Sequence, residues 1–513
     1  MIKPLESRNS CLSTNIPIVT RTMPASARAR TFDVKSVAII GAGPSGLATA
    51  KYLLAEKRFR RIDIFEQRTR VGGVWDYDPN QKSYSTDLPI PQTNPHAGHA
   101  KPTSIRKDGQ PQWTSPLYDR LETNIPRGLM GFRDLDWPKE SQLFPKHETV
   151  TEYIEKYAED VRHLIRFHTQ VTRVAPLHPG VSDANGWRVE TKDVRDKGDS
   201  SKCTAEYDAV VAANGHFFVP FVPEIKGLDD FNRECPGIVS HSMYFKRPEQ
   251  YQDKKVVCVG NGASGVDIAT QIMSCCKWPL LISQRSESFF LKGESPSKQD
   301  RPEIVEFISQ DRAVKFADGS VEKDIDGILF CTGYLYSFPF LDNLDPPLIG
   351  DGTHVQNTYQ HLFYRPNATL AFPVLQQRVI PFPMAEVQAA VLARVWSGRL
   401  SLPSEQEMKS WEDERYKETG RGRAFHLLGF PKDADYINAM HDFAISAEDG
   451  ETKGKEPPRW DAESYWLRER FPMIKRAFAD KGDDRRDVKH LEELGFDYEA
   501  FQRERQDECK SLI

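Results

Sequence analysis

One local pattern constrains this chain more than any other. A glycine-spaced turn stands between a short apolar strand and a helical run, and it occurs twice. In the first copy, Ser36 to Ile40 carries Val37, Ala38, Ile39 and Ile40, which reads as a buried parallel strand. Gly41-Ala42-Gly43-Pro44-Ser45-Gly46 follows at once. Leu47 to Lys57 then has Leu47, Ala50 and Leu54 at helical spacing, and Ile62 to Glu66 is the next strand. Gly41 permits the tight turn, Gly43 lets backbone approach a pyrophosphate, and Gly46 lets helix and strand pack closely. The helix N-terminus offers free amides and partial positive charge to phosphates.

The second copy runs Lys255 to Val259, Gly260-Asn-Gly262-Ala-Ser264-Gly265, a helix from Val266 to Met273, and a strand from Leu280 to Ser283. The copies differ where a dinucleotide ribose would lie. Glu66, 20 residues after Gly46, can accept from ribose hydroxyls and would repel a 2′-phosphate, so the first turn suits FAD or NAD. Arg285 stands 20 residues after Gly265 with Ser283 beside it, and a guanidinium there can pair with a 2′-phosphate. Taken alone, either residue could be a solvated strand end. The pair implies FAD plus NADPH.

Two further apolar strands end in glycine turns: Asp208 to His216, with Asn214-Gly215-His216, and Asp326 to Tyr334, with Cys331-Thr332-Gly333. They bracket the second nucleotide unit. The expected fold is α/β, with two Rossmann-like domains and the NADPH domain inserted into a discontinuous FAD domain. The expected division is 1–33 as a disordered or targeting extension, 34–220 as the leading segment of the FAD domain, 221–328 as the NADPH domain, 329–440 as the returning segment of the FAD domain, and 441–513 as a charged C-terminal extension.

Composition narrows the partners. With 69 Lys+Arg against 74 Asp+Glu the net charge is −5, which gives no electrostatic case for nucleic acid. No run approaches the roughly 18 apolar residues of a membrane span. The eight cysteines form no C-x-x-C or C-x4-C pair, which removes the common dithiol and zinc centres and suits a reducing, cytoplasmic setting. The vicinal Cys275-Cys276 reads as two ordinary thiols at a helix end. Residues 1–32 hold Lys3, Arg8, Arg21, Arg28 and Arg30 against Glu6, the composition of a transit peptide, but Pro4, Pro17 and Pro24 interrupt any helix there. Met23 is an alternative start. The C-terminal Lys510-Ser-Leu-Ile513 is not the S-K-L address. The sequon Asn367-Ala-Thr369 has no secretory context to use it. His96 and His99 lack a third ligand, so no metal is expected. Neither G-x-S-x-G nor H-E-x-x-H occurs, which leaves hydrolase readings without support. Residues 441–513 read as a peripheral extension, helical around Tyr465 to Ala479 with a break at Pro472.

Longer segments resemble the flavin-containing monooxygenases. Gly72-Gly73-Val74-Trp75 is similar to their G-G-x-W turn, and Tyr118 to Pro126 to their Y-x-x-L-x-T-N-x-P segment. Phe144-Pro145-x-His147 and Phe167-x-Thr169-x-Val171 fit as well. Gly237-x-x-x-His241-Ser242 resembles the family's F-x-G-x-x-x-H-S motif, with Cys235 where the motif has Phe. Asn214-Gly215-His216, Cys331 to Tyr336, Tyr359 to Phe363 and Ala393 to Leu400 resemble a fungal branch described as thiol-specific. The resemblance covers residues 34 to 440.

The resemblance implies that NADPH reduces FAD, that reduced flavin adds O2 at its 4a carbon to give a hydroperoxide, and that a nucleophilic sulfur or nitrogen takes the distal oxygen. Its substrates would be small thiols, sulfides or amines. By the same resemblance Asn124 is the catalytic residue, touching both flavin and NADP. Gly73, Val74, Trp75, Ile125 and Val171 join the FAD set. Thr123, Ser264, Val266 and Asp267 join Gly260, Gly262, Gly265, Ser283 and Arg285 around NADP. Asp267 also suits a plain helix N-terminal charge, and His241 a structural role at the domain crossover. Three rivals stand beside this reading. A Baeyer–Villiger monooxygenase expects a Trp-Pro soon after the motif histidine, whereas His241 is followed by Ser-Met-Tyr-Phe-Lys-Arg-Pro248. A dithiol reductase lacks its cysteine pair. A flavin and NADPH redox sensor that does not oxygenate would have no need of Asn124. A homodimer is left open.

Overall fold

The computed structural model describes residues 30–78, 93–97, 104–105, 109–180, 186–196, 198, 201–285 and 295–511. The expectations about residues 1–29, including Met23, and about His99 lie outside the described residues.

The two glycine turns belong to two copies of one folding unit. In the first, strand Ser36–Ile40 leads into helix Pro44–Ala55 and strand Arg61–Phe65. Strand Ile165–Arg166 follows, then a three-stranded antiparallel meander (Thr169–Pro176, Trp187–Asp193, Cys203–Tyr207), then strand Ala209–Ala212. In the second, strand Val256–Val259 leads into helix Ala263–Met273, strand Leu280–Ser283 and strand Lys298–Arg301. A second antiparallel meander (Ile304–Ile308, Ala313–Phe316, Val321–Glu322) then precedes strand Gly327–Phe330. In each sheet the unit's last strand pairs in parallel with its first, its first with its second, and its second with its third. The second sheet is parallel throughout and adds Val239–His241 at its edge.

The second unit lies within the first in sequence. After Gly327–Phe330 the chain returns through Leu370–Ala371, which pairs in parallel with Ala209–Ala212 and completes a seven-stranded sheet with Thr358–Tyr359 and Phe363–Tyr364. The two connections between units pair with each other, Val219↔Leu335 and Pro220↔Tyr334. Arg423 straps this crossover. Its guanidinium donates to the Thr332 and Tyr334 carbonyls at 3.1 and 3.3 Å and lies 3.9 Å from the Phe221 ring centroid.

The first unit's core is closed by helix Pro381–Trp396, packed on helix Pro44–Ala55. Every residue from Phe382 to Trp396 is buried, because this helix has sheet, helix and C-terminal region on all sides. Truncating a side chain such as Trp396 there would cost about 3–5 kcal/mol.

The C-terminal region departs from the expectation of a peripheral extension. Trp460, Trp466, Leu467, Ile474, Phe478 and Val488 belong to the same buried cluster as the first sheet. Helix Ala462–Asp480 also runs through Pro472 without ending. Proline removes one backbone hydrogen bond, but buried side chains anchor the helix on both sides of it. The Arg468–Asp433 ion pair, 2.7 Å and buried, holds the preceding turn.

Candidate functional site

Both glycine turns are closed from behind; the second is open in front among the described residues, and the first is covered by residues 72–75. Gly41 and Gly260 have φ of +106° and +104°, where a Cβ would lie 2.5 Å from the Ala213 carbonyl oxygen and 2.7 Å from that of Cys331. On Gly46 and Gly265 a Cβ would sit 2.0 and 2.4 Å from the carbonyls of Gly41 and Gly260. Each helix therefore starts hard against its own turn. Neither helix has a capping side chain at its N-terminus. The first-turn amides are thus left for a ligand rather than a cap. A Cβ on Gly262 would face open space, and Ser264 is exposed at the same rim. On the first turn, residues 72–75 fold over the glycines. Gly72 N–H donates to Ala42 O at 3.1 Å, and the Gly73 backbone, at φ +58°, approaches Gly43. The carbonyls of Val74 and Trp75 are held by Ser115 and Thr151 hydroxyls at 2.6 and 3.0 Å. These two cradles fit two dinucleotides.

The strand ends are in different registers from those that counting suggests. Gly41 N–H donates to Phe65 O, and Gly260 N–H to Ser283 O, at 2.8 and 2.9 Å. Ser283 is therefore the counterpart of Phe65, and Gln284, not Arg285, stands where Glu66 stands. The path from the last glycine to the strand end is one residue shorter in the second unit. Glu66 is buried and accepts from the amides of Ala42 and Arg68 at 2.8 and 2.9 Å. Burial pushes its carboxyl up, and the Ala42 amide and Arg68 pull it back. Gln284 instead accepts from the Asn261 side chain at 3.0 Å, and Arg285 is exposed one residue beyond. Val171 is buried on the strand that begins beside Glu66, where Thr169 N–H donates to Glu66 O at 2.8 Å.

Between the units runs the segment 118–126. Thr123 is buried, its N–H donating to Pro145 O at 2.9 Å and its hydroxyl to Ile125 O at 2.8 Å. Asn124, bracketed by these bonds, is half-buried, and its side-chain amide has no partner among the described residues. Ile125 packs against the first core. The segment is tied to the second unit by Tyr118, whose hydroxyl donates to Asp267. Gln271 donates to the same carboxylate oxygen at 3.0 Å. Burial raises the Asp267 carboxyl, opposed first by the charge of Lys475 and then by the Tyr118 hydrogen bond. Asp267 thus joins the two units, whatever else it contacts; Val266 sits beside it with its amide in the helix ladder.

Other sequence candidates have structural partners. His241 is fully buried, its Nε2 facing the Gly333 carbonyl at 3.1 Å and its Nδ1 accepting from Met243 N–H at 3.1 Å. Burial lowers it to about 4, so it is neutral. Cys276 is buried with its thiol pushed up to about 11 by burial, the opposite of a reactive thiol. Asn367 is buried and bonded to Thr369, so the sequon is inaccessible. No three-ligand metal cluster occurs among the described residues. Sequence reasoning missed Arg423 and Lys475, which carry no local signal. Each lies in a charge-rich stretch and reaches its partner only through tertiary packing.

Two dinucleotide cradles, an acid-ended and an arginine-flanked strand, and between them an amide with no partner among the described residues define a protein built to hold two dinucleotides. The Flavin-binding monooxygenase-like profile matches residues 101–298 and 298–449, and that of the NAD(P)-binding Rossmann-like domain matches 39–99. Flavin-containing monooxygenase FMO GS-OX5 of Arabidopsis thaliana is 32% identical over 433 residues, 81% of this chain and 86% of that protein. The fungal flavin-containing monooxygenase ustF2 of Aspergillus flavus is 27% identical over 489 residues, 85% of this chain and 97% of its own. S-allyl-L-cysteine S-oxygenase from Allium sativum shares the fold at a TM-score of 0.70 and 27% identity, covering 91% of this chain and 98% of that one. The chain belongs to the flavin-containing monooxygenase family, and FAD and NADPH are its cofactors. No helix among the described residues is long and apolar enough to cross a membrane.

Proposed function

We propose that this enzyme transfers one oxygen atom of O2 to a nucleophilic sulfur or nitrogen of a small molecule, with sulfur the preferred atom. Residues 41–46, Glu66 and the 73–75 turn would hold FAD in the first cradle, and when bound it supplies the oxygen activation. The amides following Gly262 would hold the pyrophosphate of NADPH in the second, and Arg285 its 2′-phosphate. The protein's role is to bind, orient and keep water out. Asn124 holds the reacting ring system by donating and accepting at once without giving up a proton. Thr123 fixes its backbone. The free thiols, none paired among the described residues, suit a reducing cytoplasmic setting.

The observation that carries this reading is the contrast at residues 123–125. The neighbours of Asn124 are locked by hydrogen bonds while its own amide has no partner among the described residues. A turn residue would use that amide on its own backbone. Sulfur is favoured by the S-oxygenase among the structural relatives. Purified enzyme should consume NADPH in air and convert a thioether to its sulfoxide in step with that consumption. Oxidation of NADPH with no oxygenated thiol, thioether or amine would reject the proposal. Conversion of a ketone to an ester would point to the Baeyer–Villiger alternative.

A further inference from the structure

The C-terminal region reaches the segment that carries Asn124. From helix Ala462–Asp480, the Lys475 ammonium donates to the Thr123 carbonyl at 2.8 Å. It lies 4.6 Å from the Phe144 ring centroid and 5.3 Å from that of Phe478. The next residues extend the same contact. Arg485 donates to Glu122 at 3.0 Å, Leu143 N–H to Val488 O at 2.8 Å, and Arg127 to Lys489 O at 3.2 Å. Residues 475–489 thus brace residues 122–143 from outside. Burial lowers the lysine's hold on its proton, and Asp267 and Glu122, which both act on it electrostatically, oppose that.

The Thr123 carbonyl belongs to the peptide whose nitrogen is that of Asn124. The other polar groups of Thr123 are already taken by Pro145 and Ile125. A charge-assisted hydrogen bond to the remaining one fixes the peptide plane and with it the direction of the Asn124 side chain. A misplacement of about 1 Å in such a group can cost about a hundredfold in rate.

We propose that Lys475 is a positioning residue for oxygen transfer: by holding the Thr123–Asn124 peptide, with Asp267 of the second unit nearby, it sets the orientation of the Asn124 amide. The C-terminal region is then integral to the catalytic apparatus of this chain rather than an appendage. This rests on the role proposed for Asn124, and the test separates the two.

The test compares the parent holoenzyme with Lys475→Met, Lys475→Arg, Asn124→Ala and the double variant Lys475→Met/Asn124→Ala. Methionine keeps the packing on Phe144 and Phe478 and removes the charge; arginine keeps the charge. With thioanisole as probe, the share of NADPH oxidised that appears as hydrogen peroxide is measured together with FAD content, melting temperature and NADP+ affinity. Lys475→Met should keep its FAD and NADP+ affinity and melt within about 3 °C of the parent, while its peroxide share rises about fivefold. Lys475→Arg should recover coupling. The double variant should be no worse than Asn124→Ala, because both changes disable one amide. If Asn124→Ala uncouples the enzyme and Lys475→Met does not, or if the two losses multiply, Lys475 is not acting through Asn124 and the proposal fails. If Asn124→Ala itself remains fully coupled, the role of Asn124 is wrong and the proposal falls with it. Should Lys475→Met lose FAD or melt far below the parent, Lys475→Gln decides instead: it keeps a donor for the Thr123 carbonyl and should stay coupled like the parent, and a folded, FAD-loaded Lys475→Gln that keeps this bond yet releases peroxide as Asn124→Ala does would overturn the proposal.

Discussion

Glu66 and Gln284 occupy one position in two copies of a single unit. The amide of each donates to the carbonyl of an arginine on the neighbouring strand, Glu66 to Arg166 at 3.0 Å and Gln284 to Arg301 at 2.9 Å. Each side chain then turns back to its glycine turn, Glu66 to the Ala42 amide and Gln284 to the Asn261 side chain. The two differ by a charge. A carboxylate at this place would repel a 2′-phosphate; a neutral amide, with a guanidinium one residue further on, would accommodate it.

Nucleotide choice should therefore depend on the pair Gln284 and Arg285. Arg285→Ala is expected to raise KM for NADPH about 30-fold, the equivalent of losing a charge-assisted contact, and to leave NADH nearly unchanged. Gln284→Glu should weaken NADPH in the same direction with Arg285 intact. Steady-state kinetics with both nucleotides decides the matter, and equal losses with NADPH and NADH would make Arg285 a structural residue.

Glu66 should govern the other cofactor. Glu66→Ala removes the acceptor for the Ala42 and Arg68 amides, leaving two donors of the turn unpaired at a cost of about 1–3 kcal/mol each. The purified variant should lose FAD on gel filtration while its preference for NADPH over NADH stays as in the parent. Full flavin occupancy by absorbance would contradict the assignment of the first cradle.

Glu386 predicts a pH dependence of stability. It lies fully buried in helix Pro381–Trp396, accepting from Arg133 N–H at 2.8 Å and Tyr157 hydroxyl at 3.3 Å. Burial raises its carboxyl to about 7, against which the Arg133 amide and Tyr157 work. The folded pKa lies above the unfolded one, so the folded state holds the proton more tightly. Stability from this group is full below the unfolded value of 4.5 and is lost as pH rises from there through the folded value of about 7, to a total on the order of 3 kcal/mol above it. Glu386→Gln should remove that decline. Melting curves from pH 4.5 to 8 test it: if parent and variant differ by the same amount at every pH, Glu386 does not titrate in this window.

Much of this was legible in the sequence because it is local. Each glycine turn, its strands and its helix lie within about 30 residues, and the turn chemistry dictates the fold directly. The register of the second strand end was not legible, because a one-residue difference in the helix-to-strand path moves Gln284 into the place that counting gives to Arg285. The C-terminal brace was illegible for a different reason. Lys475 and Thr123 are 352 residues apart, and a charged helix looks the same on paper whether its lysines meet solvent or a buried carbonyl. Pro472 misled because a breaker's local cost is small beside the burial on either side of it.

Asn124 carries the most demanding prediction. Its amide has no partner among the described residues while Thr123 and Ile125 around it are bonded, so the side chain can be lost without unlocking the backbone. On the proposed reading, reduction of the flavin by NADPH needs only that the two cofactors be aligned, and the hydrogen bonds that hold the backbone around Asn124 do not involve its amide. Oxygen transfer needs the activated oxygen to survive until a nucleophile arrives, which depends on hydrogen bonds made at the reacting ring. Asn124→Ala should therefore reduce its flavin at close to the parental rate in anaerobic stopped flow, yet in air divert most electrons to hydrogen peroxide, with oxygenated product down about a hundredfold. Asn124→Asp should be worse, since a carboxylate brings no donor and sets negative charge where more negative charge develops. Loss of flavin reduction in Asn124→Ala would instead make the residue an aligner of NADPH, and unchanged coupling would leave it with no role in the chemistry.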